Sequence, residues 1–266
     1  SGLHLGLLAC GIGAGDEVIV PANTYIATVL AVTANGATPV FVDPDKYYNL
    51  DTEKLEAVIT KHTRAIMPVH LYGQAVDMPH VMEIADRCRL AVIEDCAQSH
   101  GAHFGGTMTG RFGNVGCFSF YPTKNLGAFG DAGAIVTDDA VLAEMMRMLR
   151  NYGSKEKYHN EICGVNSRLD EVQAALLRVK LRHLPELTAE RKEIAAHYLA
   201  GIQNEHILLP SLRAGAEHVY HQFVVRTAAR DHFKAYLAAR GIETVIHYPI
   251  PPHLAECYAA FGYGRG

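Results

Sequence analysis

No uninterrupted apolar stretch in these 266 residues reaches the roughly 20 that a membrane span requires. The opening residues, Ser1-Gly2-Leu3-His4-Leu5, lack the basic leader of a secretion signal. They read as the middle of a helix, with a preceding segment missing. None of the six cysteines, Cys10, Cys88, Cys96, Cys117, Cys163 and Cys257, forms a C-x-x-C pair. Most sit in apolar runs, as expected of buried, reduced thiols in a cytoplasmic protein. A formal charge of −4 gives no broad electrostatic reason to expect nucleic acid or an anionic membrane as partner. Neither G-x-S-x-G nor a Walker-type lysine loop is present, which counts against hydrolase and NTPase readings. Fifteen histidines are scattered along the chain. His100 and His103 have no helical scaffold and no clear third ligand, so no metal is expected.

Short apolar runs are present, at Glu17–Pro21, Thr38–Asp43, Ala65–His70, Leu90–Glu94, Gly116–Phe120 and Gly133–Thr137. Most are too continuous for half-exposed strands and fit a parallel sheet buried on both faces. Helical stretches lie between them: Tyr25–Ala34, Thr52–Lys61, Pro79–Arg89 and Ala140–Asn151. Asp77 and Asp139 precede two of these as N-terminal signals, with Pro79 in a first turn and a stop at Gly153. Strands alternating with helices give an α/β layered domain over residues 1–185. From Arg168 to about Gly201 the chain turns helical and charged, and Pro185 should kink or divide that helix. Strand-like His218–Arg226, helix-like His232–Arg240 and strand-like Thr244–His247 follow. That texture suggests a smaller α+β domain over residues 186–266.

The chemistry is concentrated between Leu90 and Thr137. An apolar strand ends in Glu94 and Asp95, and in open α/β sheets ligands sit beyond the carboxyl ends of strands. A second strand runs into Lys124, with Gly127, Gly130 and Gly133 behind it to allow close approach of backbone and a flat ligand. An electron-sink cofactor needs such groups. A lysine amine bonds the cofactor and shuttles a proton, which requires some neutral amine near pH 7. A carboxylate keeps the pyridine nitrogen protonated, and hydroxyls and backbone amides hold a phosphate. Lys124, Asp95 and Ser119 can fill these roles in order. By contrast, Gly11-Ile-Gly-Ala-Gly15 looks dinucleotide-like but precedes a strand, so it reads as a turn.

The segments Gly15-Asp-Glu-Val-Ile-Val-Pro, Thr24-Tyr-Ile-Ala-Thr, Val69-His-Leu-Tyr-Gly, Ile93-Glu-Asp-Cys-Ala-Gln, Phe118-Ser-Phe-Tyr-Pro-Thr-Lys-Asn and Asn166-Ser-Arg-Leu-Asp-Glu occur in that order. Together they resemble the DegT/DnrJ/EryC1/StrS family of sugar aminotransferases, pyridoxal 5'-phosphate (PLP) enzymes of fold type I. The resemblance implies a mainly parallel, seven-stranded-type sheet sandwiched by helices. It implies Lys124 as the Schiff-base lysine, Asp95 on the pyridinium nitrogen and Gln98 on the ring hydroxyl. Ser119 would bind the phosphate, and the Tyr25 ring would stack on the pyridine. Asn166 would reach the phosphate of the neighbouring subunit, which makes the expected unit a homodimer with shared sites. His247, in His247-Tyr-Pro, would lie near the substrate.

Family members carry a Ser-Gly-Thr-x-Ala-Leu-like phosphate loop and further C-terminal helices. Here Ser1-Gly2 runs straight into Leu3, so both ends are expected to be missing. The activity implied is transfer of an amino group from L-glutamate to a nucleotide-linked keto sugar, with pyridoxamine 5'-phosphate formed between two half-reactions. Gln98 and the His247-Tyr-Pro segment resemble members acting at C3 of a dTDP-3-keto-6-deoxyhexose. Alternatives are C4 amination of a dTDP- or UDP-4-keto sugar, a sugar dehydratase of the same fold, and a non-catalytic protein, either a regulatory PLP binder or a degenerate structural homologue. The dehydratases replace the lysine with histidine, so Lys124 argues against that reading.

Overall fold

The apolar runs of the N-terminal half pair into one twisted sheet, whose order decides where a ligand can sit. A computed structural model describes residues 1–264. Its strands are β1 (Glu17–Pro21), β2 (Thr38–Val42), β3 (Thr63–Ile66), β4 (Ala91–Asp95), β5 (His103–Phe104), β6 (Thr107–Met108), β7 (Val115–Ser119), β8 (Gly133–Val136), β9 (Ser154–Glu156) and β10 (His159–Asn160). Six of them form the main sheet, in the order β2-β1-β3-β4-β7-β8. Every neighbouring pair is parallel except β7–β8. Two short hairpins, β5–β6 and β9–β10, stand apart. The resemblance implied a seven-stranded sheet. The six apolar runs supply six strands, and the described residues contain no seventh in this sheet.

Side chains alternate across the sheet as the strand pleat requires. Val18 and Val20 of β1, with Ala65 and Ile93, pack on one face against Leu7, Val29, Val32 and Met146. These come from helices α1 (Gly2–Ala9), α2 (Ile26–Ala34) and α5 (Ala140–Leu149). Ile19, Ile66 and Val92 turn to the other face, against Leu55, Val81 and Ile84 of α3 (Leu55–Val58) and α4 (Met78–Cys88). Burial on both faces is why the runs are continuously apolar, and each fully buried Val or Ile contributes about 1.5–3 kcal/mol.

The helix ends follow their signals. Asp77 accepts from the His80 N–H at the start of α4, and Asp139 accepts from Val141 and Leu142 at the start of α5. The stretch expected to be helical from Thr52 to Lys61 shortens to a 3-10 turn plus α3. Thr63 Oγ1 takes the Thr60 N–H, and Ile59 is already extended. Pro185 divides the long helix as expected, into α6 (Glu171–Arg182) and α7 (Leu184–Gly201).

Beyond α7 the only α-helix among the described residues is α8 (Arg230–Ala238). The strand-like runs His218–Arg226 and Thr244–His247 build no sheet. The first makes isolated bridges at Gln74–His218 and Leu208–Arg226, and two of its backbone amides go to the large sheet's loops: Val219 N–H to Gly73 O, Gln222 N–H to Tyr72 O. This segment is spent on reaching the strand ends of the main sheet instead of pairing with itself.

Candidate active site

The carboxyl ends of β4 and β7 carry the two groups with the clearest chemical roles. Asp95, the last residue of β4, is buried. Its Oδ1 accepts from the Ala97 N–H at 3.1 Å and its Oδ2 from the Thr28 hydroxyl at 2.9 Å. Because Thr28 donates there, the Thr24 hydroxyl at 2.8 Å donates to Thr28. Burial pushes the Asp95 carboxyl up from its ordinary value, opposed by these bonds and by the charge on Lys124. A desolvated carboxylate with two donors and, among the described residues, no ion pair invites a cation.

Lys124 sits in the turn after β7, its N–H on Tyr121 O at 2.8 Å. Burial lowers its pKa and Asp95 partly restores it, so more of the amine is neutral near pH 7 than for a free lysine. The turn is tight: a Cβ on Gly127 would lie 2.3 Å from the Pro122 oxygen.

Asp95 rests on a rigid neighbour. Glu94 is fully buried, and its carboxylate accepts from Gly110, Phe112 and Gly113 N–H and from His70 Nε2 at 3.0 Å. His70 Nδ1 accepts the Val76 N–H, so the ring is the neutral Nε2–H tautomer. Burial opposes ionisation of Glu94, but His70 and the backbone donors outweigh it and hold the pKa below the ordinary value. Cys96 lies close enough to make these three a possible metal set, yet the Glu94 oxygens and both His70 nitrogens are already engaged.

The other residues expected from sequence fall around this pair unevenly. Gln98 is buried; its Oε1 takes the Tyr72 N–H and its Nε2 donates to Tyr248 Oη at 3.2 Å, leaving one amide hydrogen free. Ser119 ends β7 half-buried, its Oγ accepting from Tyr121 N–H and its own hydroxyl hydrogen free. Tyr25 stands at the start of α2, largely exposed, with its ring 5.4 Å from that of Tyr248. His247 contacts the Gln222 amide at 2.9 Å, and its carbonyl accepts from Tyr72 Oη at 2.7 Å. Burial, then Lys124, lowers its pKa. Asn166 is apart from these, exposed in a bridge with Asn151.

Sequence reading missed Thr28, His100, His221 and Tyr248. Thr28 lay within a quoted motif, and an i to i+4 pair of threonines at a helix start was the available signal. His100 donates Nε2–H to Ser119 O at 2.9 Å; its buried Nδ1 has no partner, and burial drives its pKa to about 4. Tyr248 is held neutral by burial, its pKa pushed up to about 12.

A protonated pyridine nitrogen is the cation that Asp95 lacks, a neutral amine is what an aldehyde requires of Lys124, and the free Ser119 hydroxyl hydrogen suits a phosphate oxygen. The donor set therefore fits PLP.

Known proteins agree with that chemistry. The chain is 56% identical over 258 residues to the dTDP-3-amino-3,6-dideoxy-alpha-D-galactopyranose transaminase of Aneurinibacillus thermoaerophilus, covering 97% of this chain and 71% of that one. It is 52% identical over 259 residues to the dTDP-3-amino-3,4,6-trideoxy-alpha-D-glucose transaminase of Streptomyces venezuelae, covering 97% and 68%. The crystal structure of S. venezuelae DesV in complex with a ketimine intermediate superposes with a TM-score of 0.95 at 52% identity, over 97% of this chain and 70% of that one. Among the described residues no helix is long and apolar enough to cross a membrane. The pattern that defines the DegT/DnrJ/EryC1/StrS aminotransferase family matches residues 1–264, and the chain belongs to that family of PLP-dependent enzymes.

Proposed function

We propose that this chain transfers an amino group from L-glutamate to C3 of a dTDP-3-keto-6-deoxyhexose. The observation that carries the reading is Asp95, a buried carboxylate without an ion pair among the described residues, near a lysine whose pKa is lowered. Two relatives that share more than half their aligned residues with this chain are named as 3-amino-sugar transaminases, which supports C3 over C4.

When bound, PLP supplies an electron sink for the carbanion formed at the reacting carbon. Asp95 keeps the ring nitrogen protonated, and Thr28 and Ala97 hold the carboxylate in place. Lys124 Nζ bonds the cofactor at rest and, once released, carries the proton to and from the reacting carbon. Ser119 donates to the phosphate, Gln98 offers its remaining amide hydrogen to the ring hydroxyl, and Tyr25 flanks the ring. His247 meets the sugar. The exposed Asn166 reaches the phosphate of the partner's site in a homodimer. Six free thiols, two of them buried, support a reducing cytoplasm as the place of action.

The purified protein is expected to be yellow when loaded, and glutamate should bleach the band. Borohydride should tag Lys124; a tag elsewhere, or none, defeats the reading. Incubation with a panel of 3-keto and 4-keto dTDP-sugars tests position. Amination of the 4-keto compounds alone rules out C3.

A further inference from the structure

β7 runs on to Ser119 after its parallel neighbour has stopped. β4 pairs with it only as far as Asp95, opposite Cys117, and the Cys96 N–H then bonds the Cys117 carbonyl at 2.8 Å. On the other side the Phe120 N–H bonds Ala132 O at 2.8 Å. Phe118 and Phe120 therefore turn their backbone groups toward β8, and Cys117 and Ser119 turn theirs toward β4. The Ser119 carbonyl points to a place where β4 has no N–H left to give. His100 supplies one: its Nε2 lies 2.9 Å from that oxygen, and since a carbonyl only accepts, the imidazole proton is on Nε2.

The imidazole is firmly seated. His100 is 3% exposed, and its ring packs against those of Phe118 and Phe120, with centroids 5.6 and 5.8 Å away. The turn that carries it is closed by Thr109, whose hydroxyl donates to Ser99 O at 3.1 Å and so accepts from the Ser99 hydroxyl at 3.0 Å. Ser119 is thus held twice, at its carbonyl by His100 and at Oγ by the Tyr121 N–H at 3.3 Å. The amine end of the same turn is held separately. Asn125 Nδ2 donates to the Val219 carbonyl at 3.1 Å, and Asn125 Oδ1 faces His221 Nδ1 at 3.0 Å.

We propose that His100 is a positioning residue for the cofactor phosphate: by holding the Ser119 peptide it aims the Ser119 hydroxyl hydrogen at a phosphate oxygen. This rests on the aminotransferase reading, in which Ser119 takes the phosphate. A Ser119 carbonyl deprived of its donor would turn to find another, and the hydroxyl would turn with it. Lys124, anchored through Asn125, would keep its reach to the aldehyde, so the loss falls on the phosphate alone.

Titrating the cofactor-free protein with PLP and with pyridoxal, which has the same ring and aldehyde but no phosphate, separates the two ends. His100→Phe keeps a flat ring against Phe118 and Phe120 and removes the donor; His100→Leu removes it with a smaller side chain. In both, affinity for PLP should fall by about tenfold while affinity for pyridoxal changes by less than about twofold. His100→Gln, whose amide can still reach the carbonyl, should bring PLP affinity back to within about threefold of the parent. Parental PLP affinity in the Phe and Leu variants, equal losses for the two ligands, or a Gln variant as weak as Phe overturns the proposal and leaves His100 a structural tie. Without any substitution, ¹⁵N NMR of the cofactor-free protein at neutral pH should show the neutral Nε2–H tautomer at His100; an Nδ1–H or charged ring overturns it. Ser119→Ala should show the same phosphate-selective loss; parental PLP affinity there takes Ser119 off the phosphate, and the proposal falls with it. Failure of the parent protein to turn yellow with PLP and bleach with glutamate would instead remove the aminotransferase reading itself.

Discussion

Thr28 donates its hydroxyl hydrogen to Asp95 across sixty-seven residues of sequence, at 2.9 Å in a buried setting. The bond favours the ionised carboxylate, the better acceptor, against the burial that raises its pKa. Thr28→Val keeps the shape and removes that preference. Cofactor affinity should weaken by about tenfold, the effect of a lost hydrogen bond to a charged group, with far-UV circular dichroism unchanged. Absorbance titration with PLP measures it.

Asp95 itself is a functional group that stability pays for. Its pKa is raised in the fold, so the native state disfavours the ionised form. The cofactor-free chain therefore loses stability as pH rises from the ordinary aspartate range through the raised value. Asp95→Asn should raise the unfolding free energy at pH 7 by about 1 kcal/mol while abolishing transamination. Urea denaturation should show the gap closing near pH 3. A variant less stable than its parent at pH 7 contradicts this account.

Much of this site was legible because its parts announce themselves locally. Asp95 ends an apolar run, and Lys124 follows one and is trailed by glycines. The six strands were legible for a related reason: residues buried on both faces leave no polar alternation to confuse the pattern. What stayed hidden depends on partners far along the chain. His221 matters through Asn125, Tyr248 through Gln98, and neither spacing has a period. The run His218–Arg226 has strand-like composition, yet two of its amides serve Gly73 and Tyr72, a choice made by tertiary contacts that propensity does not see.

Glu94 is expected to matter for folding more than for chemistry. Its two oxygens satisfy three backbone N–H groups and His70 in a site closed to water. Glu94→Gln turns an amide toward donors that need an acceptor. The cost should be about 3 kcal/mol or more, read as a lowered urea midpoint at pH 7.

Acid should unfold the chain through its buried histidines. His100 and His218 have pKa values lowered to about 4, and His221 to about 3, each mainly by burial. The unfolded chain takes up protons near 6.5 and the native state does not, so stability falls as pH drops from 6.5 toward 4. His100→Gln can still donate to Ser119 O but cannot titrate. The slope of unfolding free energy against pH in that window should flatten by up to one proton, and an unchanged slope would show that His100 is protonated in the native state.

Gly127 makes the sharpest demand on the turn that carries Lys124. Its φ is not in the left-handed region; the constraint is space, because an added methyl would meet the Pro122 carbonyl oxygen at 2.3 Å. That oxygen belongs to backbone two residues before Lys124, so relief requires the turn itself to move. Overpacking of this kind costs about 1–3 kcal/mol, and the strain falls on the loop instead of the sheet. Gly127→Ala should therefore keep a cooperative unfolding transition, its midpoint lowered by no more than that cost. Its rate of covalent cofactor capture, followed by the visible band, should drop by about tenfold or more, because a displaced amine loses its approach to the aldehyde. Capture at the parental rate would show that the turn can yield without moving Nζ, and that the position of Lys124 is set from the Asn125 side alone.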